Sequence, residues 1–339
     1  MKICLYLEFF HFFKGIFFRN IGTGLLSSYY NQKKILTTLQ ITYTERWDKN
    51  CDILQINTPW LNSWRLIKKA KKSRKKVIIW AHVTAEDAKQ VFRFTAFFNN
   101  FIKKYLTHVY GLADVILCPS TYTKSLLERY GLPAEKLMVQ SNGVDTTKFY
   151  PNLLKRKEVR EKQNLSNLVV GTVGLAIPRK GIADFLTIAK NLPQYTFLWY
   201  GKIYNRLLVK PLPAKIPANV KFTGYVPDVL AAFNSLDIFI FLSVEENQGM
   251  AILEAAAMQL PLLVRDLPAY QGWLKHGENC FKVKNVKECQ YYINLLAQDE
   301  ALRKKLGQAA LLLAQKEQIN TLKKQMQNVY TGLLVKTNH

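Results

Sequence analysis

The stretch Ser243–Cys280, SVEENQGMAILEAAAMQLPLLVRDLPAYQGWLKHGENC, decides how the rest of the chain is read. It begins at the end of an apolar run, Phe241-Leu242-Ser243, and passes through a loop carrying Glu246 and Gly249. An alanine-rich run, Ala251–Met258, follows, and after Pro261 the apolar Leu262-Leu263-Val264. The pattern predicts strand, loop, helix, strand. Glu246 falls on the loop and Glu254, eight positions on, in the first turns of the helix. The free N–H groups and partial positive charge of a helix N-terminus suit an anion. Carboxylates beside it suit neutral polyols, since each accepts hydroxyl hydrogen bonds. A ligand with both phosphate and hydroxyl groups, such as a nucleotide-sugar, meets both demands. Glu254 alone reads as a solvated helix residue; the argument lies in the whole string.

The same alternation extends in both directions. Apolar, β-rich runs at Lys2–Phe9, Cys51–Asn57, Lys76–Ala81 and Asp114–Pro119 alternate with helical patterns after Gly22-Thr23-Gly24 and at Ser63–Ser73, Val91–Leu112 and Ser120–Tyr130. Residues 151–167 are charged and poor in β-branched side chains, and read as a connector. The alternation then restarts at VVGTVGL and continues through TFLWYG, VKFTGYV and DIFIFLS to a helical tail, Asp299–Leu334. Strands alternating with helices predict parallel sheets covered on both faces. The expected class is α/β, with two Rossmann-like domains facing a cleft: residues 1–160, residues 161–315, and a terminal helix in 316–339 that returns to the first domain.

The 339 residues are ample for two cores. The net charge is +24, and basic residues outnumber acidic ones in both halves, 23 to 10 up to Tyr150 and 25 to 14 beyond it, so the excess is not a tail. An anionic partner is implied. No zinc-finger spacing, RNP-like string or arginine-rich arm points to nucleic acid. The excess is mostly Lys interleaved with Phe, Tyr and Trp, which suits an anionic bilayer surface. Two segments concentrate it: Phe9–Arg19, with Phe12, Phe13 and Phe17 among its aromatics, and RLIKKAKKSRKK at Arg65–Lys76, with Lys68, Lys69, Lys72 and Lys75 near Trp60 and Trp64. A solvated basic helix face over buried Phe is the plainer alternative. No apolar run is long enough to span a bilayer, and residues 1–18 lack a cleavage site. Five cysteines without C-x-x-C spacing predict a reduced, cytosolic chain.

Four shorter motifs add candidates. Gly174–Gly181, GLAIPRKG, places Arg179 and Lys180 at a helix start, where they suit a diphosphate; an ordinary exposed basic turn is the alternative. Asn142-Gly143-Val144-Asp145 predicts a tight turn with Asn142 near the cleft. His82 ends the strand in WAHVTAED, where open α/β sheets bind ligands, with Glu86 and Asp87 following. Gly22 and Gly24 flank Thr23 after the first strand. No Asp-x-Asp occurs, so no metal is required, though Mg2+ stimulation is left open.

The string from Ser243 to Pro261, with Gly249 and Leu253-Glu254-Ala255 in register, resembles the E-x7-E signature of family 4 glycosyltransferases, which have the GT-B fold. Asn142–Asp145 with Phe149, and Lys180-Gly181, match further family motifs, while Leu175 stands where the family has an arginine. Softer matches, including His82–Asp87, Pro119–Leu126 and Arg265–Trp273, resemble bacterial diglycosyl-diacylglycerol synthases. The resemblance implies a retaining transferase moving a hexose from UDP-glucose to the 2-hydroxyl of monoglucosyl-diacylglycerol, bound peripherally at the cytoplasmic face of the membrane. UDP-galactose as donor, capsule or polysaccharide synthesis, and a degenerate nucleic-acid-binding fold remain alternatives. It also implies roles. Glu246, with Asn247, Gly249 and Met250, would meet the donor; Glu254 would take its ribose. Gly22, Gly24, Asn142, Arg179 and Lys180 would line the donor phosphates and hexose, with His82 beside the reacting sugar. Glu86 and Asp87 would bind the acceptor.

Overall fold

The computed structural model describes residues 1–8, 23–87, 95–203 and 215–335, with the side chains of 95–98 left aside. Gly22, Phe12, Phe13 and Phe17 lie outside these residues.

The N-terminal half runs β1 (Lys2–Tyr6), α1 (Gly24–Thr38), β2 (Thr42–Thr44), β3 (Ile53–Ile56), α2 (Leu61–Lys72), β4 (Lys76–Trp80), α3 (Thr95–Gly111), β5 (Val115–Cys118), α4 (Thr121–Arg129) and β6 (Leu137–Val139). The C-terminal half runs α5 (Leu153–Lys162), β7 (Val169–Val173), α6 (Ile182–Asn191), β8 (Thr196–Tyr200), β9 (Val220–Gly224), α7 (Val229–Ser235), β10 (Ile238–Phe241), α8 (Met250–Ala257), β11 (Leu262–Arg265), β12 (Phe281–Val283), α9 (Val286–Gln298) and α10 (Glu300–Lys316), followed by α11 (Ile319–Val335). Each half holds one six-stranded sheet, ordered β2-β1-β3-β4-β5-β6 and β12-β11-β10-β7-β8-β9, and every strand pair is parallel.

The strands read as unbroken apolar runs because both faces of each sheet are covered. Cys4 and Tyr6 pack on one side of the first sheet, and Ile3, Leu5 and Leu7 on the other. In the second sheet Phe239 and Phe241 face one core, Ile238 and Ile240 its opposite. Each such Ile or Leu contributes roughly 1.5–3 kcal/mol by leaving water.

Residues 151–167 are not a loose connector. Asn152 caps α5, its side chain accepting from Lys155 N at 2.9 Å. Arg156 and Arg160 on α5 both pair with Asp237, Arg160 at 2.9 Å, and Asp237 also accepts from Val169 N at 2.7 Å. The helix is thereby fixed to α7 and the C-terminal sheet, so a boundary at 160 would cut through it. The charges that gave a linker-like composition are its anchoring groups.

The chain crosses back at its end. α10 packs on α8, whereas Ile319, Met326, Val329, Tyr330 and Leu333 of α11 join Tyr29, Ile35 and Leu36 of α1 in the N-terminal core. Val144 N donates to Glu317 O at 3.0 Å, and Ile319 N returns a bond to Val144 O at 3.1 Å. Gly143 makes this docking possible: its φ is +70°, and a Cβ there would lie 2.8 Å from Leu322 Cδ1.

Candidate active site

The carboxyl ends of both sheets meet at a seam, and the loop Ser243–Gly249 after β10 is its centre. Glu246 is 8% exposed and its Oε1 pairs with Lys180 Nζ and, at 3.4 Å, with Arg179 Nη1. Arg179 and Lys180 reach it from a single 3₁₀ turn, Pro178–Lys180, which Gly181 closes in the left-handed region at φ +80°. A Cβ on Gly181 would meet Leu242 O at 2.2 Å, so only glycine lets this turn lie against the strand end. Arg179 Nη1 also donates to Glu245 O at 2.6 Å and pairs with Asp87 Oδ1 at 3.3 Å. The basic motif is thus a half-buried turn, not an exposed one.

Two cations and two carboxylates, Glu246 buried and the other three half-buried, share this space. Burial opposes the charge on Glu246, but Lys180 and Arg179 outweigh it and hold the carboxyl below its ordinary range. Burial likewise opposes Arg179, and Glu246 and Asp87 more than restore its charge. Lys180 is lowered by burial, which Glu246 only partly offsets. Asp87 is raised by burial, with Arg179 pulling the other way.

The seam is stitched by the residues around Glu246. Asn247 Nδ2 donates to Asp87 Oδ2 at 2.6 Å and to His82 O at 3.2 Å, and its Oδ1 accepts from Thr123 Oγ1 at 3.1 Å. Tyr122 OH donates to Glu245 at 2.9 Å. Gln248 accepts from Asn142 N at 3.0 Å and donates to Ser141 Oγ at 2.8 Å. His82 stacks on Trp80, ring centroids 5.4 Å apart, and loss of water around its imidazole pushes its pKa down to about 3, so the ring is neutral. Gly249 ends the loop at φ +85° and starts α8, whose Met250 sits against the start of α1: a Cβ on Gly24 would lie 3.1 Å from Met250 Cγ.

The structure therefore brings together His82, Asp87, Asn142, Arg179, Lys180, Glu246 and Asn247, with Gly24, Gly249, Met250 and Glu254 beside them. It separates Glu86 from Asp87. Tyr130 OH donates to Glu86, whereas Asp87 turns to Arg179, Asn247 and Thr84. Tyr122, Thr123, Ser141 and Gln248 lie in or beside strings read from the sequence but were given no role there, and Ser28 on α1 has no spacing relation to any motif.

Glu254 is not a solvated helix residue. It is 6% exposed, and burial pushes its pKa up to about 7, against a lowering hydrogen bond from Ser27 of α1. Such a raised carboxyl adds stability that is complete below its unfolded value of 4.5 and lost as pH rises through about 7. Glu254→Gln removes that loss. Its thermal midpoint is expected to exceed wild type above about pH 7 and to converge with it near about pH 4. Unfolding scans across that range check this; an offset independent of pH would contradict it.

The basic segment forms α2. Ser63, Ile67 and Ala70 face inward, while Lys68, Lys69 and Lys72 are exposed and Lys75 is half-buried. Lys68 Nζ lies 3.7 Å over the Trp64 ring and Lys69 Nζ 5.3 Å from that of Trp47. Leu61 at the start of α2 is 62% exposed. Trp64 Nε1 donates to His108 at 3.4 Å on α3, where Phe101, 70% exposed, lies two turns earlier. Trp60 is half-buried at the N-cap. No helix among the described residues is long and apolar enough to cross a membrane.

Known proteins resemble this chain in sequence and in fold. The profile described as "Glycosyl transferases group 1" matches residues 155–312, and "Glycosyltransferase Family 4" matches residues 20–148. The chain is 32% identical over 295 residues to a processive diacylglycerol alpha-glucosyltransferase of Acholeplasma laidlawii, covering 84% of this chain and 85% of that one. It is 26% identical to an alpha-galactosylglucosyldiacylglycerol synthase of Streptococcus pneumoniae, covering 74% and 70%. Among solved structures, Anabaena HepE in complex with UDP and glucose superposes with a TM-score of 0.77 at 16% identity, covering 98% and 99% of the two chains. WaaG, a glycosyltransferase of lipopolysaccharide biosynthesis, superposes with a TM-score of 0.69 at 14% identity, covering 98% and 99%. The paired parallel sheets, the Glu246–Lys180–Arg179 cluster at their meeting edge and these likenesses agree: the chain belongs to the family 4 glycosyltransferases, of the GT-B fold.

Proposed function

We propose that this chain transfers a hexose, with retention, from UDP-glucose to the 2-hydroxyl of monoglucosyl-diacylglycerol at the cytoplasmic face of a membrane. The observation that carries the chemistry is the cluster of half-buried Lys180 and Arg179 around the buried Glu246. A sugar diphosphate leaves with its negative charge increasing. Fixed cations in a water-poor space stabilise that charge most when it has fully developed, which lowers the barrier rather than merely tightening binding. Glu246 accepts from hexose hydroxyls and Glu254 from the ribose. No metal is needed in this reading, because the two cations supply the positive charge. The bond from the hexose anomeric carbon to the UDP oxygen breaks. A bond from that carbon to the acceptor oxygen forms on the same face, and the acceptor proton passes to the departing phosphate.

The lipid acceptor is supported by the two diacylglycerol-glycosylating relatives and by α2. Exposed Lys68, Lys69 and Lys72 attract an anionic surface, each worth up to about 1 kcal/mol, while Leu61 and Phe101 are placed to enter its apolar edge. The pneumococcal relative's name favours one second reading, UDP-galactose as donor with the same acceptor.

The test is transfer from radiolabelled UDP-glucose or UDP-galactose in vesicles containing monoglucosyl-diacylglycerol and anionic lipid. The expected result is a labelled diglycosyl lipid made faster from UDP-glucose, on vesicles that carry the chain upward in flotation at low salt and release it at about 1 M salt, where the screening length falls to about 3 Å. Faster labelling from UDP-galactose would move the donor to galactose. A labelled water-soluble product with no lipid product would overturn the acceptor.

A further inference from the structure

A chain of buried side-chain amides and hydroxyls runs from the returning helix α11 to the seam. Tyr330 OH donates to Gln55 Oε1 at 2.9 Å, Gln55 Nε2 to Gln32 Oε1 at 2.8 Å, and Gln32 Nε2 to Asn57 Oδ1 at 2.7 Å and Ser28 Oγ at 3.2 Å. Ser28 Oγ lies 2.8 Å from Asn142 Oδ1 and 3.5 Å from His82 Nε2. Tyr330, Gln55, Asn57 and Ser28 are 0% exposed and Gln32 is 2%. An amide in the middle of a strand covered on both faces, as Gln55 is, costs stability unless every polar atom is met.

The direction of the chain is set at one backbone carbonyl. Asn57 Nδ2 donates to Tyr6 O at 3.4 Å, so the other end of that amide, Oδ1, faces Gln32 and can only accept. Gln32 must then present its NH2 to Asn57 and Ser28 and its oxygen to Gln55, whose own oxygen is left for the Tyr330 hydroxyl. Ser28 Oγ accepts a hydrogen bond from Gln32, and its own hydrogen is donated to the nearer acceptor, Asn142 Oδ1. His82 Nε2 then meets a Ser28 oxygen whose hydrogen is spent.

We propose that Tyr330, Gln55, Gln32 and Ser28 are positioning residues: they hold His82 as the Nε2–H tautomer, with Nδ1 bare, and turn Asn142 so that its NH2 is the end left to donate. Among the described residues Asn142 Nδ2 and His82 Nδ1 take no protein partner, so these are the groups offered to a ligand. The inference rests on the reading above, in which His82 and Asn142 meet the substrate. It also gives the return of α11 a role at the seam, since the outer end of the relay sits on that helix.

The test uses the whole chain labelled with 15N-histidine, with ring signals of His82 assigned by their loss in His82→Asn. In wild type His82 is expected to carry its proton on Nε2, and in Ser28→Ala the proton distributes between the two ring nitrogens. Kinetic arms use Gln32→Met and Tyr330→Phe. Tyr330→Phe keeps the buried volume and removes only the outermost hydroxyl, so it remains informative if Gln32→Met folds poorly. The expected losses in kcat are roughly tenfold and roughly threefold, with KM for the UDP-hexose within about twofold, because orientation rather than binding is lost. Wild-type His82 protonated on Nδ1, a tautomer unmoved by Ser28→Ala, or outer variants that lose thermal stability while keeping wild-type kcat would each overturn the relay. The expected tautomer shift in a chain that transfers no hexose upholds the relay and overturns the functional reading instead.

Discussion

Lys180→Ala is expected to give a folded chain whose turnover falls by about 10²–10³-fold, the usual effect of deleting one preorganised stabiliser of a developing negative charge. Lys180 is half-buried, pairs with Glu246 and lies 4.8 Å from the centre of the Phe241 ring, so it has little of a water shell to shed when the leaving group's charge grows. Its loss leaves the cluster one positive charge short, but Arg179 still spans Glu246, Asp87 and the Glu245 carbonyl, so neither carboxylate is left without a cationic partner. The loss should therefore fall on kcat, with KM for the donor changed far less. Turnover within about threefold of wild type would remove Lys180 from the chemistry.

Glu246→Gln is expected to produce two opposite effects. Removing the carboxylate leaves Arg179 and Lys180 with Asp87 as the remaining carboxylate partner in the cluster, and breaking a buried pair in this way costs about 3–5 kcal/mol of stability. The same imbalance makes the turn a better site for an anion. UDP is therefore expected to raise the thermal midpoint of the variant more than that of wild type, while transfer of hexose falls by about 10²-fold or more because its hydroxyls meet a neutral amide, with one acceptor oxygen in place of two charged ones. Thermal shift with UDP, beside transfer rates from UDP-hexose, separates the two effects. A variant in which UDP stabilises less than in wild type would place Glu246 on the nucleotide side.

Much of the fold is legible in the chain because its strands are central and parallel. KICLY, VIIW, VILC and IFIF are apolar on both faces, a pattern that only a doubly covered sheet explains. The short strands β2, β6 and β12 were not set apart as strands: each has three residues and lies at a sheet edge, with too few positions to show a period. Helix α5 was hidden for a different reason. Its charges look solvated in sequence, and only Asp237, 77 positions beyond Arg160, shows that they are clamped.

At the seam, residues sharing a local motif could be found and their partners could not. Glu246, Asn247, Arg179 and Lys180 stand in recognisable strings. Tyr122 and Thr123 meet that loop only because two separate sheets present their edges to one another, across 123 and 124 positions of chain. The relay left one visible trace, Gln55 in the run ILQI, where an amide interrupts a buried strand. The heavy basic charge marked α2 correctly as a surface element, and its exposed Lys and Leu61 are what the membrane reading rests on.

A crystal structure of the chain with bound UDP tests the central claim most directly. The account predicts diphosphate oxygens within hydrogen-bond distance of Lys180 and Arg179, displacing one of their carboxylate contacts, and ribose hydroxyls on Glu254. UDP bound away from this seam, or seated there with both cations still held by Glu246 and the ribose turned from Glu254, would contradict it.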